Sequence, residues 1–162
     1  MTIEQKFEAL AAVVLAEEPV AKETARKALA AVMKTETNHV SSNDSRTEDA
    51  IHQFLMELGA QPHLLGYRYA AYGITLAVNR PELIDNITGT GGFYQTIAAK
   101  FDTTASRAER AIRHLIEMIW MNGDPDTLIS FFGLSIKSDK GHPTNAHFIA
   151  RCALVIRSRL KH

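Results

Sequence analysis

The sequence predicts an all-α fold: a multi-helix bundle containing a helix-turn-helix, preceded by an N-terminal helical hairpin. Three observations predict it. Apolar residues recur at helical spacing along most of the 162 residues, and no segment shows sustained period-2 alternation with hairpin turns. Residues suited to caps and turns, such as Gly59 and the run Asp102-Thr103-Thr104, punctuate the periodic stretches. A hydrophobic fraction of 46% is enough to furnish a core for one domain, or for one domain with a small appendage.

The elements follow in order. Residues 3–15 place Ile3, Phe7, Leu10 and Val14 at helical spacing until Pro19 interrupts the run. Residues 21–33 form a second amphipathic stretch, rich in alanine, with Ala25, Ala28, Leu29 and Val32 on one side. The two are expected to pair as a hairpin over residues 1–34, too small to build a core alone. The polar run TETNHVSSNDSRTED at 35–49 crowds Ser, Thr, Asn and Asp together and reads as a linker over residues 35–46. A second unit, residues 47–162, opens with a helix whose buried stripe is Ile51, Phe54, Leu55 and Leu58, closed by Gly59. Residues 67–78 form the next helix, and Asn79-Arg80-Pro81 opens a short one. Gly89-Thr90-Gly91-Gly92 reads as a loop; the Gly-Lys-Ser/Thr ending that a phosphate-binding loop requires is missing.

Charge and cysteine content narrow the function. The single cysteine, Cys152, excludes an internal disulfide framework and suits a reducing cytoplasm. No apolar run approaches the ~20 residues of a membrane span, and the first residues lack the pattern of a secretory signal. The formal net charge is +0, but residues 1–49 carry 6 basic against 9 acidic side chains, whereas residues 50–162 carry 12 against 9. A phosphate-binding face needs positive charge locally rather than over the whole chain. The basic residues from Lys137 onward also suit a solvated C-terminal helix.

The functional signal is concentrated in residues 94–121, which read as helix, tight turn, helix. Ile97, Ala98 and Phe101 give the first helix its apolar side. At ~100° per residue, Ser106, Arg107, Arg113, His114 and Glu117 fall within about 60° of Arg110, while Ala108, Ala111, Ile112, Leu115, Met118 and Ile119 fall opposite. Glu109 sits at the edge of the polar arc. A helix with a packed back and arginines on its exposed N-terminal half suits insertion into a major groove. An arginine donates two hydrogen bonds to guanine, and a carboxylate accepts from cytosine. Two other readings fit the same residues. Ser106-x-x-Glu109 has the form of a capping box, and Arg113 with Glu117 has the spacing of an exposed ion pair.

The run IAAKFDTTASRAERAIRHLIE at 97–117, with Leu58-Gly59, HLLGY at 63–67, Phe132-Gly133 and HPTNAHFIA at 142–150, resembles the DNA-binding effector domain of the stage zero sporulation protein A family, response regulators of endospore-forming bacteria. The resemblance spans about residues 47–160. It implies an all-helical domain of about six helices that binds promoter boxes, often as tandem copies, and regulates transcription. It implies base contacts by Glu109 and Arg110, with Ser106, Arg107, Arg113, Thr104 and Lys100 at the backbone or flanking positions. It also implies a contact with RNA polymerase sigma factor through residues 124–136, with Asp124, Asp126 and Ser130 as candidates. The last helix, residues 145–160, corresponds to the one that helps pair two domains on tandem boxes, so a homodimer on DNA is expected.

Three departures from the family pattern stand out. The 46 or so residues ahead of the effector domain are too few for a doubly wound receiver domain. Residues 89–95 (GTGGFYQ) replace the family's Lys-x-Leu-Tyr-Pro and are two residues longer, and residues 124–136 differ in many side chains. No enzymatic role is expected, since no nucleophile with an orienting base converges and His114-x-x-Glu117 lacks such a partner. His142, His147 and Cys152 match no common zinc spacing, so neither metal nor cofactor is expected. Trp120, Phe131 and Phe132 read as core or interface aromatics. A second functional class remains open: a protein-interaction or dimerisation module acting through the acidic N-terminal helices, antagonising a full-length relative.

Overall fold

The computed structural model describes residues 2–6, 19–133 and 141–162. Among these residues there are helices and turns but no strands. The chain divides into two compact units, Met1–Ser45 and Arg46–His162.

In the first unit, residues 3–6 are helical and open with a reciprocal cap. The Thr2 N–H donates to Gln5 Oε1 at 3.1 Å, and the Gln5 N–H donates to Thr2 Oγ1 at 3.3 Å. Most of the first arm of the expected hairpin lies outside the described residues. Helix α1 spans Pro19–Glu57, with proline at its first position, where the missing N–H is least costly. Of the predicted stripe in this unit, Ala25 is buried and Leu29 and Val32 are half-buried, but Ala28 is exposed.

Residues 35–46 differ from the sequence expectation of a linker, since their backbone is helical. The physical reason is that neither glycine nor proline occurs between Pro19 and Gly59. Ser, Thr and Asn lower helix propensity by only tenths of a kcal/mol each, which a packed flanking segment can offset. The division between the units falls at Ser45/Arg46, within this helix.

The second unit begins with the C-terminal part of α1. Ile51, Phe54, Leu55 and Leu58 are all at most 1% exposed. Gly59 ends the helix at φ 85°, the left-handed conformation that glycine adopts without penalty. Its N–H donates to the Met56 carbonyl at 3.0 Å and that of Ala60 to the Leu55 carbonyl at 2.9 Å, the two bonds of a Schellman motif. The remaining helices are α2 (Leu65–Asn79), α3 (Glu82–Asp85), α4 (Phe93–Phe101), α5 (Ala105–Asn122), α6 (Pro125–Phe132) and α7 (Asn145–Leu160).

Helix α2 is the hub, packing against α4, α5 and α7. It carries two glycines at close approaches. A Cβ on Gly66 would overlap the Ala111 carbonyl oxygen and lie 3.1 Å from Leu115 Cβ, so this glycine lets α2 rest directly on the backbone of α5. The core around α2 and α5 includes Ile74, Phe93, Ile112, Leu115, Phe148 and Ile156, all fully buried. Trp120, Phe132 and Phe148 form an aromatic cluster, with Trp120 edge-on to Phe132 at 5.0 Å between ring centroids. Cys152 is fully buried within this core, and burial raises its thiol pKa well above the ordinary value.

Arg159 of α7 clamps the end of α1. Its guanidinium donates to both Glu57 oxygens, at 3.0 and 2.7 Å, and lies over the Phe54 ring at 5.1 Å. The hydrogen bond from Arg159 holds the Glu57 carboxyl below its ordinary pKa. A depressed carboxylate stabilises the fold above its unfolded pKa, and the contribution is lost as pH falls through the folded value. Both side chains are about a third exposed, so solvent screening keeps the ion pair's share below about 1 kcal/mol. Glu57→Gln should therefore be slightly less stable than wild type at neutral pH. In urea titrations at several pH values, the gap should close as acid enters the carboxylate range.

Candidate nucleic-acid interface

The outward face of α5 is built by the turn before it. Helix α4 stops at Asp102, which takes a left-handed φ of 50°, a conformation that aspartate tolerates better than most side chains. The N–H groups of Asp102 and Thr103 both reach the Ala98 carbonyl, closing the end of α4. Thr104 then caps α5, its Oγ1 accepting from the Arg107 N–H at 3.2 Å. Thr104→Ala should cost about 1 kcal/mol of unfolding free energy, read as a lower urea midpoint.

This cap bears on one of the sequence readings. Ser106 is the second residue of the helix, two positions past the N-cap, so the Ser106-x-x-Glu109 capping box does not form. Glu109 is instead half-buried and pairs with Arg113. The expected Arg113–Glu117 pairing gives way to this one, in the more favourable order of acid before base along a helix.

The structure sorts the residues of α5 by exposure. Ser106, Arg107, Arg110, Arg113, His114 and Glu117 are exposed; Ala108, Ile112, Leu115 and Ile119 are fully buried. Ala111 and Met118 are half-buried, and Ile116, not singled out from sequence, is fully buried. The side chains of Arg107 and Arg110 form no hydrogen bond or ion pair with a described residue. Lys100, near the end of α4, is exposed, with its ammonium 5.8 Å from the centre of the Tyr72 ring.

Beside this face runs a groove of about 760 Å³. Ser106, Glu109, Arg113 and Glu117 of α5 form one wall; Ile87, Thr88 and Tyr94, and residues 142–146 ahead of and at the start of α7, form the rest. Burial raises the Tyr94 pKa, with a smaller opposing effect from the Asn145 hydrogen bond, so the phenol stays neutral. The Nε2 of His142 lies 3.9 Å from Glu117 Oε1.

The polymerase-contact candidates are mixed. Asp124 caps α6, its Oδ2 accepting from the Thr127 N–H at 2.9 Å and the Thr127 hydroxyl at 2.7 Å; these bonds lower its pKa. Asp126 is exposed in the first turn. Ser130 is exposed, and its hydroxyl donates to the Thr127 carbonyl at 2.7 Å. Residues 134–136 of that segment, and Lys137, Asp139 and Lys140 of the basic tail, lie outside the described residues. No group of three His, Cys, Asp or Glu among the described residues is arranged to hold a metal ion. No helix among them is long and apolar enough to cross a membrane.

Sequence reasoning missed Asn145. It is buried at 9% exposure, and its side chain joins α7 to α4 and α5. Its partners lie 51 and 36 residues away, so no local pattern announces the contact.

Residues 51–156 match the family described as "Sporulation initiation factor Spo0A C terminal". The matched span contains α2 to α6 and most of α7, with Arg110 and the whole capped turn inside it. Domains of this family are DNA-binding effector domains that regulate transcription rather than enzymes. By this match over most of its length, the chain belongs to the sporulation initiation factor Spo0A C-terminal domain family.

Proposed function

We propose that the protein is a sequence-specific DNA-binding transcription regulator in which α4, the capped turn and α5 act as a helix-turn-helix, with α5 in the major groove. The observation that carries this reading is the outward presentation of Arg107 and Arg110 on a helix whose opposite side packs into the core through Ala108, Ile112, Leu115 and Ile119. A rigid back fixes where the guanidinium groups sit, which is the requirement for reading base edges. Arg110 makes the two hydrogen bonds to guanine, and Glu109, aligned by Arg113, accepts from a neighbouring cytosine. Ser106, Arg107, Thr104 and Lys100 serve the flanking phosphates, which position the domain without specifying sequence.

Two copies are expected to sit on tandem boxes, with the exposed Arg151 and Leu154 of α7 available to the neighbouring copy. Asp126 and Ser130 on α6 are the surface offered to the polymerase sigma factor. The working compartment is the cytoplasm, where the DNA is.

Titration at fixed salt of the full chain against a family-type promoter box and a scrambled duplex of equal length tests this function. Preference for the box supports it, and equal affinity for both overturns it.

A further inference from the structure

We infer that Asn145 is a positioning residue for base reading: its side-chain amide fixes the turn of α5 that carries Glu109 and Arg110. The inference rests on the DNA-reading function proposed above and deepens it.

The geometry leaves the amide little freedom. Its Nδ2 donates to the Glu109 carbonyl oxygen at 3.0 Å and to the Tyr94 hydroxyl at 3.0 Å. A carbonyl can only accept, so the amine side of Asn145 must face α5, and its two hydrogens match two acceptors. Asn145 is itself held at the first position of α7, where Thr144 Oγ1 caps the helix by accepting from the His147 N–H at 3.2 Å. One buried amide thus ties three helices together at the residue that precedes Arg110.

The bond to Glu109 falls on the backbone, not on the carboxylate. It therefore leaves the side chain able to meet DNA while restraining the lateral and rotational setting of the turn. Loss of this tether leaves the hydrogen-bond ladder of α5 intact, because the Glu109 carbonyl remains inside the helix. What changes is where the guanidinium of Arg110 points. Bidentate recognition of a base tolerates little displacement, whereas a phosphate contact tolerates more.

The test compares the 162-residue chain as wild type, Asn145→Ala and Asn145→Asp on a family-type box duplex and on the same duplex with each base pair changed in turn. Asn145→Asp keeps the side-chain size but sets an oxygen against the Glu109 carbonyl. Both variants should lose about fivefold to tenfold in discrimination at the pair read by Arg110, with the salt dependence of binding unchanged. A merely structural role would lower the melting temperature and leave the discrimination ratio of the folded protein at its wild-type value, and that result overturns the inference. Should both variants be unfolded at the assay temperature, Tyr94→Phe decides. It removes one acceptor oxygen and should reduce discrimination by about twofold to threefold; an unchanged ratio overturns the inference. Wild type that binds box and scrambled duplex equally overturns the DNA-reading function itself and this inference with it. Wild-type discrimination retained by a folded variant overturns this inference alone.

Discussion

Arg110→Ala is expected to weaken binding to a family-type promoter box by about 1–3 kcal/mol and to relax base preference at one position. Folding should be unaffected, because Arg110 is exposed and bonds to no described residue. The contrast with Arg107→Ala separates the two roles. If Arg107 meets phosphate, its loss weakens binding to every duplex to a similar degree and lowers the salt slope by about one unit, without changing base preference. Competition titrations with single-pair variants of the box, repeated at several salt concentrations, read both quantities. Equal base preference in wild type and Arg110→Ala would remove Arg110 from the reading surface.

Gly66→Ala is expected to be the most damaging small substitution on α2, costing about 3 kcal/mol or more of unfolding free energy. The added methyl would meet the Ala111 carbonyl oxygen and carbon, the latter at 2.7 Å, and both are backbone atoms of α5. Neither side can yield without moving α2 away from α5. The same displacement would disturb the back of the helix that presents Arg110, so the folded fraction should also bind the box less selectively. Guanidinium unfolding gives the first effect, and box titration at low temperature the second. A variant as stable as wild type would show that α2 and α5 sit farther apart than described.

The face of α5 was legible because amphipathicity is a local property: a 3.6-residue period and one helix suffice to separate Arg110 from Ile112. Gly59 was legible for the same reason, as a left-handed helix end follows from its place after a periodic run. Asn145 and Gly66 were not, because each is defined by a neighbour brought close only by tertiary packing. Glu109 lies between these cases. Its place at the edge of the polar arc was visible, but the ion-pair spacing read from sequence joined Arg113 to Glu117, and whether Glu109 would cap the helix depended on where α5 begins. The cap at Thr104 decides that point. Residues 35–46 show the opposite failure. Their polar composition suggests a loop, yet composition alone does not interrupt a helix when glycine and proline are missing.

Selection of bound sequences from a random duplex pool is the most direct measurement of what the exposed arginines of α5 do. A short enriched motif, degenerate at one position when the selection is repeated with Arg110→Ala, is the predicted result. A folded wild-type protein that enriches no motif would contradict base reading by this helix.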